Sequence, residues 1–496
     1  MKKLQYFSFS GTAPLVPYMS TYARQMGFSA STVGLIYTVL PLFGLFAKPF
    51  FGAIADKFRA QKTIFLLFQV VTILSFSAIY FIPQNVDKIP VQMACSDGVS
   101  VLQTCYPPDK NIDKCKIDHI AYKNSTICKV NELLKLGKQD TEEDSQYNFR
   151  FWSFLVCMII SWIGQAVVVT FADAICFNIL GLRVSLYGKQ RLWGSFGWGI
   201  VSLLTGVLID LLSEGAYKDY TIAFILMIIF MSGDVITSCF IKVRGVEPSQ
   251  MSINIIKDVG SMLSSYATIL FLLWTVAVGF CTAMTWQFLF WLIEDIANQT
   301  CEDVEYVKTL QGLVSAIQIF AGEIPFMFLS GYMLNKFGHN HIMSAVLFGF
   351  GIRFILYSHL VDAWWILPIE LFQGLTSGMF YPTMTSYANI VAPPGTETTV
   401  QGLVGALFEG VGCSLGSFIG GRLYDDYGGA LVFRCFGYGA LVACGLHAIA
   451  MLFSDNLHFV NKRVETCFSV YIISMFFKCF FLCIVVCFFF MYMYLM

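Results

Sequence analysis

The chain has 496 residues, 57% of them hydrophobic and 13% charged, with a net charge of −1 and a mean hydropathy of +0.67. A soluble domain carries about a quarter charged residues, so a soluble globular protein is excluded, and the near-zero charge excludes bulk attraction to nucleic acid. The sixteen cysteines suggest a disulfide scaffold, but most lie inside apolar runs, where Cys behaves as a small hydrophobe.

Apolar runs of about 20 residues, the length that crosses a bilayer, predict an all-α membrane protein. Twelve helices are expected at 4–22, 33–54, 62–83, 151–180, 192–212, 220–242, 267–293, 309–334, 342–360, 364–388, 401–423 and 430–453. Lys2 and Lys3 mimic the start of a secretory signal, but no small-residue cleavage site follows. The first helix, LQYFSFSGTAPLVPYMSTY, is broken by Gly11, Pro14 and Pro17, which suits a segment lining a cavity. The second closes on GAIADKFRAQK, residues 52–62, a burst of charge behind a long apolar run.

Residues 84–150 form one hydrophilic insertion holding Cys95, Cys105, Cys115, Cys128 and the sequon at Asn124. An even cysteine set beside a glycosylation acceptor fits an oxidising exterior. Three disulfide pairings are open, and free thiols in an unstructured loop are the alternative. A second sequon begins at Asn298. Loops carrying Lys57, Arg59 and Lys62, then Arg183, Lys189 and Arg191, then Arg244 and Lys257, then Lys336 are expected to face the cytoplasm. The other short loops offer Arg24, Lys218 and Lys308. This bias places the N-terminus in the cytoplasm and the insertion outside, with the plasma membrane as the expected location.

Two halves follow, 1–242 and 267–455, joined by a cytoplasmic linker at 243–266 and followed by a tail at 456–496. Residues 469–496 of the tail contain no Gly, Ala or Pro. Their bias suits uridine-rich codons, which favours translated non-coding sequence over a thirteenth helix.

The burst at 52–62 has the form Gly-x-x-x-Asp, Gly52 to Asp56. The form recurs as Gly206 to Asp210, Gly331 to Asn335 and Gly421 to Asp425. These close helices 2, 5, 8 and 11, at alternating membrane faces, as inverted three-helix repeats require. The first and third copies are 279 residues apart and the second and fourth 215; the excess matches the insertion found only in the first half. Gly412, Gly416 and Gly420 form a small-residue stripe suited to close helix approach, and Gly194, Gly197 and Gly199 offer another such surface.

The stretches KPFFGAIADKFRAQK, YGKQRLWGSFGWG and FEGVGCSLGSFIGGRLYDDYG resemble the major facilitator superfamily, in its lactose-permease-like branch. Within it the chain resembles the animal major facilitator superfamily domain-containing protein 6 family, whose members are also called macrophage MHC class I receptor 2 homologues. The resemblance covers residues 1–455. It implies two pseudo-symmetric six-helix bundles around a central cavity, working by alternating access. It also implies a gating motif at Gly52, Asp56, Lys57 and Arg59, with Gly331 and Asn335 as its counterpart; Asp56 would hold the bundles together in one state. The sequence departs from the common form at Arg59, Ala60 and Gln61.

Ionisable residues inside spans are expensive and mark function by default. Here they are Asp173, Asp234, Glu323, Arg353, Glu370 and Glu409, with Lys48 and Arg191 near helix ends, where they can snorkel. The resemblance implies that Asp173 and Arg191, 18 residues apart, hold substrate hydroxyls while Trp198 stacks on a sugar ring. An acid, a forked donor and an aromatic face do suit a polyhydroxylated solute; an Asp173–Arg191 brace between two helices is the alternative. The resemblance also implies proton coupling at Arg353 with Glu323 or Glu370. It frays at Gln373, where the branch has a histidine and a glutamate, and at Glu409, where it has a lysine.

His339 and His341 lie in a short loop without an acid or cysteine partner, so no metal is expected. No phosphate-binding loop or nucleophile elbow is present, so neither an enzyme, an ATP-driven pump nor a cofactor is indicated. The expected function is secondary transport of a small polar organic solute, sugar-like and coupled to protons. A transporter-shaped receptor that captures an extracellular protein ligand at 84–150 is the alternative.

Overall fold

The computed structural model describes residues 11–58, 60–83, 91–96, 99–104, 116–117, 144–180, 187–213, 218–240, 265–300, 306–393 and 397–457. The Pro- and Gly-rich start of the first helix winds tightly: a 3-10 turn at Val16–Tyr18 leads into α1, Met19–Gln25. Gly27, with φ of 93°, then turns the chain into α2, Ala30–Phe58, which contains Pro41 and Pro49. The remaining helices of the first bundle are α3 (Gln61–Tyr80), α4 (Asp144–Leu180), α5 (Tyr187–Leu212) and α6 (Thr221–Cys239).

The second bundle opens with α7 (Tyr266–Thr300). Helix α8 runs from Val307–Ile317 through a π-helical turn at Gln318–Glu323 into Ile324–Phe337, and α9 spans His339–Ser358. Helix α10 is broken: a turn at Ala363–Trp365, four residues at Ile366–Ile369, a π turn at Gly374–Gly378, then Met379–Val391. Helix α11 runs from Glu397–Ala406 through a π turn at Leu407–Cys413 into Ser414–Tyr427, and α12 spans Gly429–Leu457. Among the described residues, ten helices are long and apolar enough to cross a membrane. The two that fall short are α1, with seven residues, and the interrupted α10.

Two differences from the sequence reading have physical causes. Helix α7 continues to Thr300, seven residues past its expected end, because its polar last turns find partners: Glu294 meets Lys308, and Asp295 meets Arg24. The insertion between α3 and α4 holds three strands where only a loop was expected: β1 (Val91–Ser96), β2 (Val99–Thr104) and β3 (Lys116–Ile117). They form an antiparallel meander in the order β1-β2-β3, with Ser96 opposite Val99 and Gln103 opposite Ile117. The intervening Asp97-Gly98 step is a strong short-range hairpin signal. Cys95 lies on β1, but its side chain, with Cys105, Cys115, Cys128 and Asn124, falls outside the described residues, as do the linker at 243–264 and the tail beyond Leu457.

Helices in lipid gain nothing from burying one apolar face against another, so close backbone approach carries more of the packing. The stripe on α11 does this. A Cβ on Gly412 would meet Gly279 and the Val276 carbonyl of α7, and one on Gly416 would meet the Phe280 carbonyl. The alternation of twelve helices gives the fold two faces. The insert face carries β1–β3 and the α1–α2, α5–α6, α7–α8 and α11–α12 connections; the far face carries the α2–α3 and α8–α9 connections.

Candidate functional site

The two bundles meet along two seams at the insert face, α2 against α11 and α5 against α8, and the seams share one geometry. At the first, the Asp425 carboxylate closing α11 accepts hydrogen bonds from the first amides of α2, Ala30 N at 2.8 Å and Ser31 N at 2.7 Å. At the second, Asp210 closing α5 accepts from Thr309 N of α8 at 2.5 Å. An acid facing the unsatisfied amides of a helix start is favourable through both the hydrogen bond and the helix dipole. Four residues before each acid stands the glycine of the motif. A Cβ on Gly421 would strike the Ala30 carbonyl, and one on Gly206 the Lys308 carbonyl. Each opposing helix answers with its own glycine, Gly34 against Ser417 and Gly421, and Gly312 against Ser202 and Leu203.

The glycines of the other two copies are not engaged by any described residue: among the described residues, and apart from the helix's own backbone, nothing lies within 4 Å of where a Cβ would stand on Gly52 or Gly331, nor on Gly402 or Gly405 of α11. Asn335 is exposed. The backbone of Asp56 and Lys57 is helical, but their side chains, and Arg59 entirely, lie outside the described residues. Gly338 and Gly428, three residues after Asn335 and Asp425, both turn the chain at φ of 78°; Arg59 holds the corresponding place after Asp56. The bundles are therefore zipped at the insert face, while among the described residues the far-face glycines look onto open space, the mouth of a cleft between the bundles.

An ionic network reinforces the insert face, and the sequence reading missed it. Lys308, expected in a loop, is 98% buried at its side chain, and its ammonium donates to Glu294 at 2.5 Å, Gln311 at 3.1 Å and Thr21 at 3.2 Å. Arg24 stacks over Trp291 and pairs with Asp295, which also accepts from Tyr424 at 2.7 Å. Lys218 pairs with Asp210 at 2.8 Å. Asn298 lines a recess of about 180 Å³ beside these groups, together with Thr21, Tyr220 and Lys308. The available signal was the Lys308–Gly312 spacing, which repeats that of Ala30 and Gly34.

Inside the second bundle, α8, α9 and α10 bring together a cluster in which Arg353, Tyr357, Glu370 and Thr376 are fully buried. Arg353 donates to Glu370 at 2.5 Å, Gln373 at 2.5 Å, Thr376 at 3.1 Å and Tyr357 at 2.6 Å. Glu370 also accepts from Tyr357 and, at 2.7 Å, from Gln318. The partner of Arg353 is thus Glu370; Glu323, the other acid considered for that place, is not among its bonded partners. The break in α10 makes this possible, because Glu370 sits at the step between Ile366–Ile369 and the π turn. The π turns of α8 and α10 lie face to face, Gly322 against Gln373 and Gly374, and Gly374 against the Gly322 carbonyl and Phe326. Such turns widen a helix and recur at functional sites.

The first bundle holds a different buried acid. Asp234 of α6 is fully buried and accepts from Gln69 of α3. Asp173 on α4 and Trp198 on α5 are half-buried, and the Arg191 side chain lies outside the described residues, so no Asp173–Arg191 contact is assigned. Glu409 is not part of the Arg353 cluster. It sits in the π turn of α11 and pairs with Lys48 of α2 at 3.3 Å, so Lys48, whose place near a helix end allowed snorkelling, bridges the bundles. Among the described residues no group of His, Cys, Asp and Glu suited to a metal is found.

Residues 1–435 match the MFS_1 like family. The chain belongs to that family. It is similar to the major facilitator superfamily domain-containing protein 6-like of Danio rerio, 22% identical over 483 residues that cover 89% of this chain and 85% of that one. Its fold is similar to that of the nucleoside transporter NupG, with a TM-score of 0.65 at 12% identity over 91% of this chain and 98% of that one. It is also similar to the D-xylose-proton symporter, with a TM-score of 0.56 at 11% identity over 90% and 95%. At these identities the structures show the fold alone: twelve helices in two bundles, as the sequence resemblance implied. The protein is a multi-pass membrane protein of a transporter family, and no comparison supports the receptor alternative or a protein ligand at the insertion.

Proposed function

We propose that the protein is a secondary transporter that moves a small polar organic solute across the plasma membrane by alternating access. The observation that carries this is the state of the four glycine marks: two engaged at the insert face, and two at the far face that meet no described residue. One mark per end of each inverted repeat is what a two-state rocking machine needs. With the insertion outside and the N-terminus in the cytoplasm, the cleft opens to the cytoplasm. In the opposite state Gly52 and Gly331 would receive the first turns of α11 and α5, as Gly421 and Gly206 now receive those of α2 and α8. The buried Arg353–Glu370–Tyr357 cluster is the place for proton coupling, since one acid there is held by an arginine, a phenol and an amide that reorder when its charge changes. The named cargoes of the structural neighbours, a nucleoside and a sugar carried with a proton, support a polar organic solute.

Reconstituted protein, offered a panel of polar solutes with and without an inward proton gradient, tests the reading. Uptake driven by the gradient and abolished by Arg353→Ala is expected; uptake indifferent to both would sink the coupling assignment. A Gly52→Cys/Gly402→Cys pair should cross-link only when the protein is trapped open to the outside. Cross-linking that never depends on the trapped state would sink the two-state reading.

A further inference from the structure

The Lys48–Glu409 pair joins α2 of the first bundle to α11 of the second, with 3.3 Å between Nζ and Oε2.

Both side chains point into the cleft. On α2 the exposed apolar residues Phe43, Phe46 and Phe50 form one stripe, the face turned to lipid. Lys48 is two residues from Phe46 and from Phe50, about 160° around the helix. On α11 the exposed stripe is Val411, Leu415 and Phe418, and Glu409 is likewise two residues from its nearest member. The two side chains keep 39% and 42% of their surface exposed, so the pair is wetted from the cleft. The adjacent wall is aromatic: Phe408 lies 6.2 Å from Trp286 and 5.9 Å from Tyr381, centroid to centroid.

A wetted ion pair contributes little to stability and is easily split. Its members belong to different bundles, as do those of the less exposed Arg24–Asp295 pair at the insert face, so a solute replacing the bond touches both. Such a solute is constrained in charge. A monoanion taken by Lys48 leaves Glu409 without a partner, a monocation does the reverse, and a neutral solute offers weaker hydrogen bonds to each. Only a molecule carrying both charges satisfies both side chains.

We propose that Lys48 and Glu409 are the charge-recognition pair of the central cleft, and that the cargo is a small zwitterion whose carboxylate meets Lys48 and whose ammonium meets Glu409. The proposal rests on the transporter reading and narrows its substrate class.

The test uses full-length protein in proteoliposomes and counterflow of neutral α-amino acids, monocarboxylates, monoamines and a hexose. A zwitterion should exchange at least about tenfold better than the singly charged or uncharged probes, equivalent to about 1.4 kcal/mol. Glu409→Gln should lower that exchange and raise relative use of monocarboxylates, and Lys48→Gln should do the same for monoamines. Hexose or singly charged probes exchanged best, or single variants that leave charge preference unchanged, would overturn the proposal while leaving a transporter in place. Exchange of no probe by wild-type protein overturns the proposal too, and only the wider solute panel then bears on transport itself. If either single variant does not fold, the exchange variant K48E/E409K keeps the pair and carries the test. Reversed charges beside the same aromatic wall should reduce zwitterion exchange, and unchanged exchange would show that the pair is only a brace.

Discussion

The two bundles share a frame and differ in what they bury. Both contribute an acid-capped, glycine-lined helix end to a seam at the insert face, Asp210 behind Gly206 and Asp425 behind Gly421. Yet only the second buries a charged cluster around Arg353 and carries π turns, in α8, α10 and α11, among the described residues. The first buries Asp234 against an amide. Small residues and caps set the frame and can be repeated; the polar interior is free to diverge once the frame stands.

The largest effect is expected where the bundles differ most. Arg353→Leu leaves Glu370 buried beside neutral partners only and should destabilise the protein by about 3–5 kcal/mol, measured by thermal unfolding in detergent. Asp234→Asn keeps a hydrogen-bonding partner for Gln69 and should cost about 1 kcal/mol or less. Equal losses would break the contrast between the two interiors.

Next come the glycines that the bundles share. Gly421→Ala and Gly206→Ala each drive a methyl group onto a backbone carbonyl and should weaken the closed seam by about 1–3 kcal/mol. Gly331→Ala, which meets nothing, should leave it intact. Accessibility of a cysteine replacing Ser31, whose hydroxyl is buried at the seam beside the Asp425 cap, to an impermeant thiol reagent reads this directly, and similar labelling in all three variants would remove the distinction between the two kinds of mark. The caps are smaller. Asp425→Ala should cost about 0.5–2 kcal/mol, and Asp210→Ala somewhat more, because it also strands Lys218. Smallest is Arg422→Ala: its i,i+4 partner Asp426 is exposed, and a change within about 0.5 kcal/mol is expected.

The frame was legible in the sequence because it depends on a residue type with no side chain, at a fixed spacing, repeated four times. The ionic network was not. Lys308 looks like a loop charge until α7 is known to continue far enough to bring Glu294 beside it. The in-span charges Arg353, Glu370 and Glu409 were visible as anomalies, but their partners depend on which way each helix is turned. A break at Glu370 and a π turn at Glu409 alter that turn in ways a uniform 3.6-residue period cannot anticipate. Lys48 carried the opposite problem: its position allowed snorkelling, and only the facing helix decides otherwise.

The π turns have a consequence for counting along the chain. A π turn holds one residue more than an α turn, so each shifts the angular phase of everything beyond it by about 100°. Helices α8, α10 and α11 cannot be laid residue for residue on uninterrupted counterparts from end to end; a single-residue skip is needed in each. Glu323 and Glu409 stand inside two of these turns, the places where an unskipped correspondence assigns the wrong wall of the cleft.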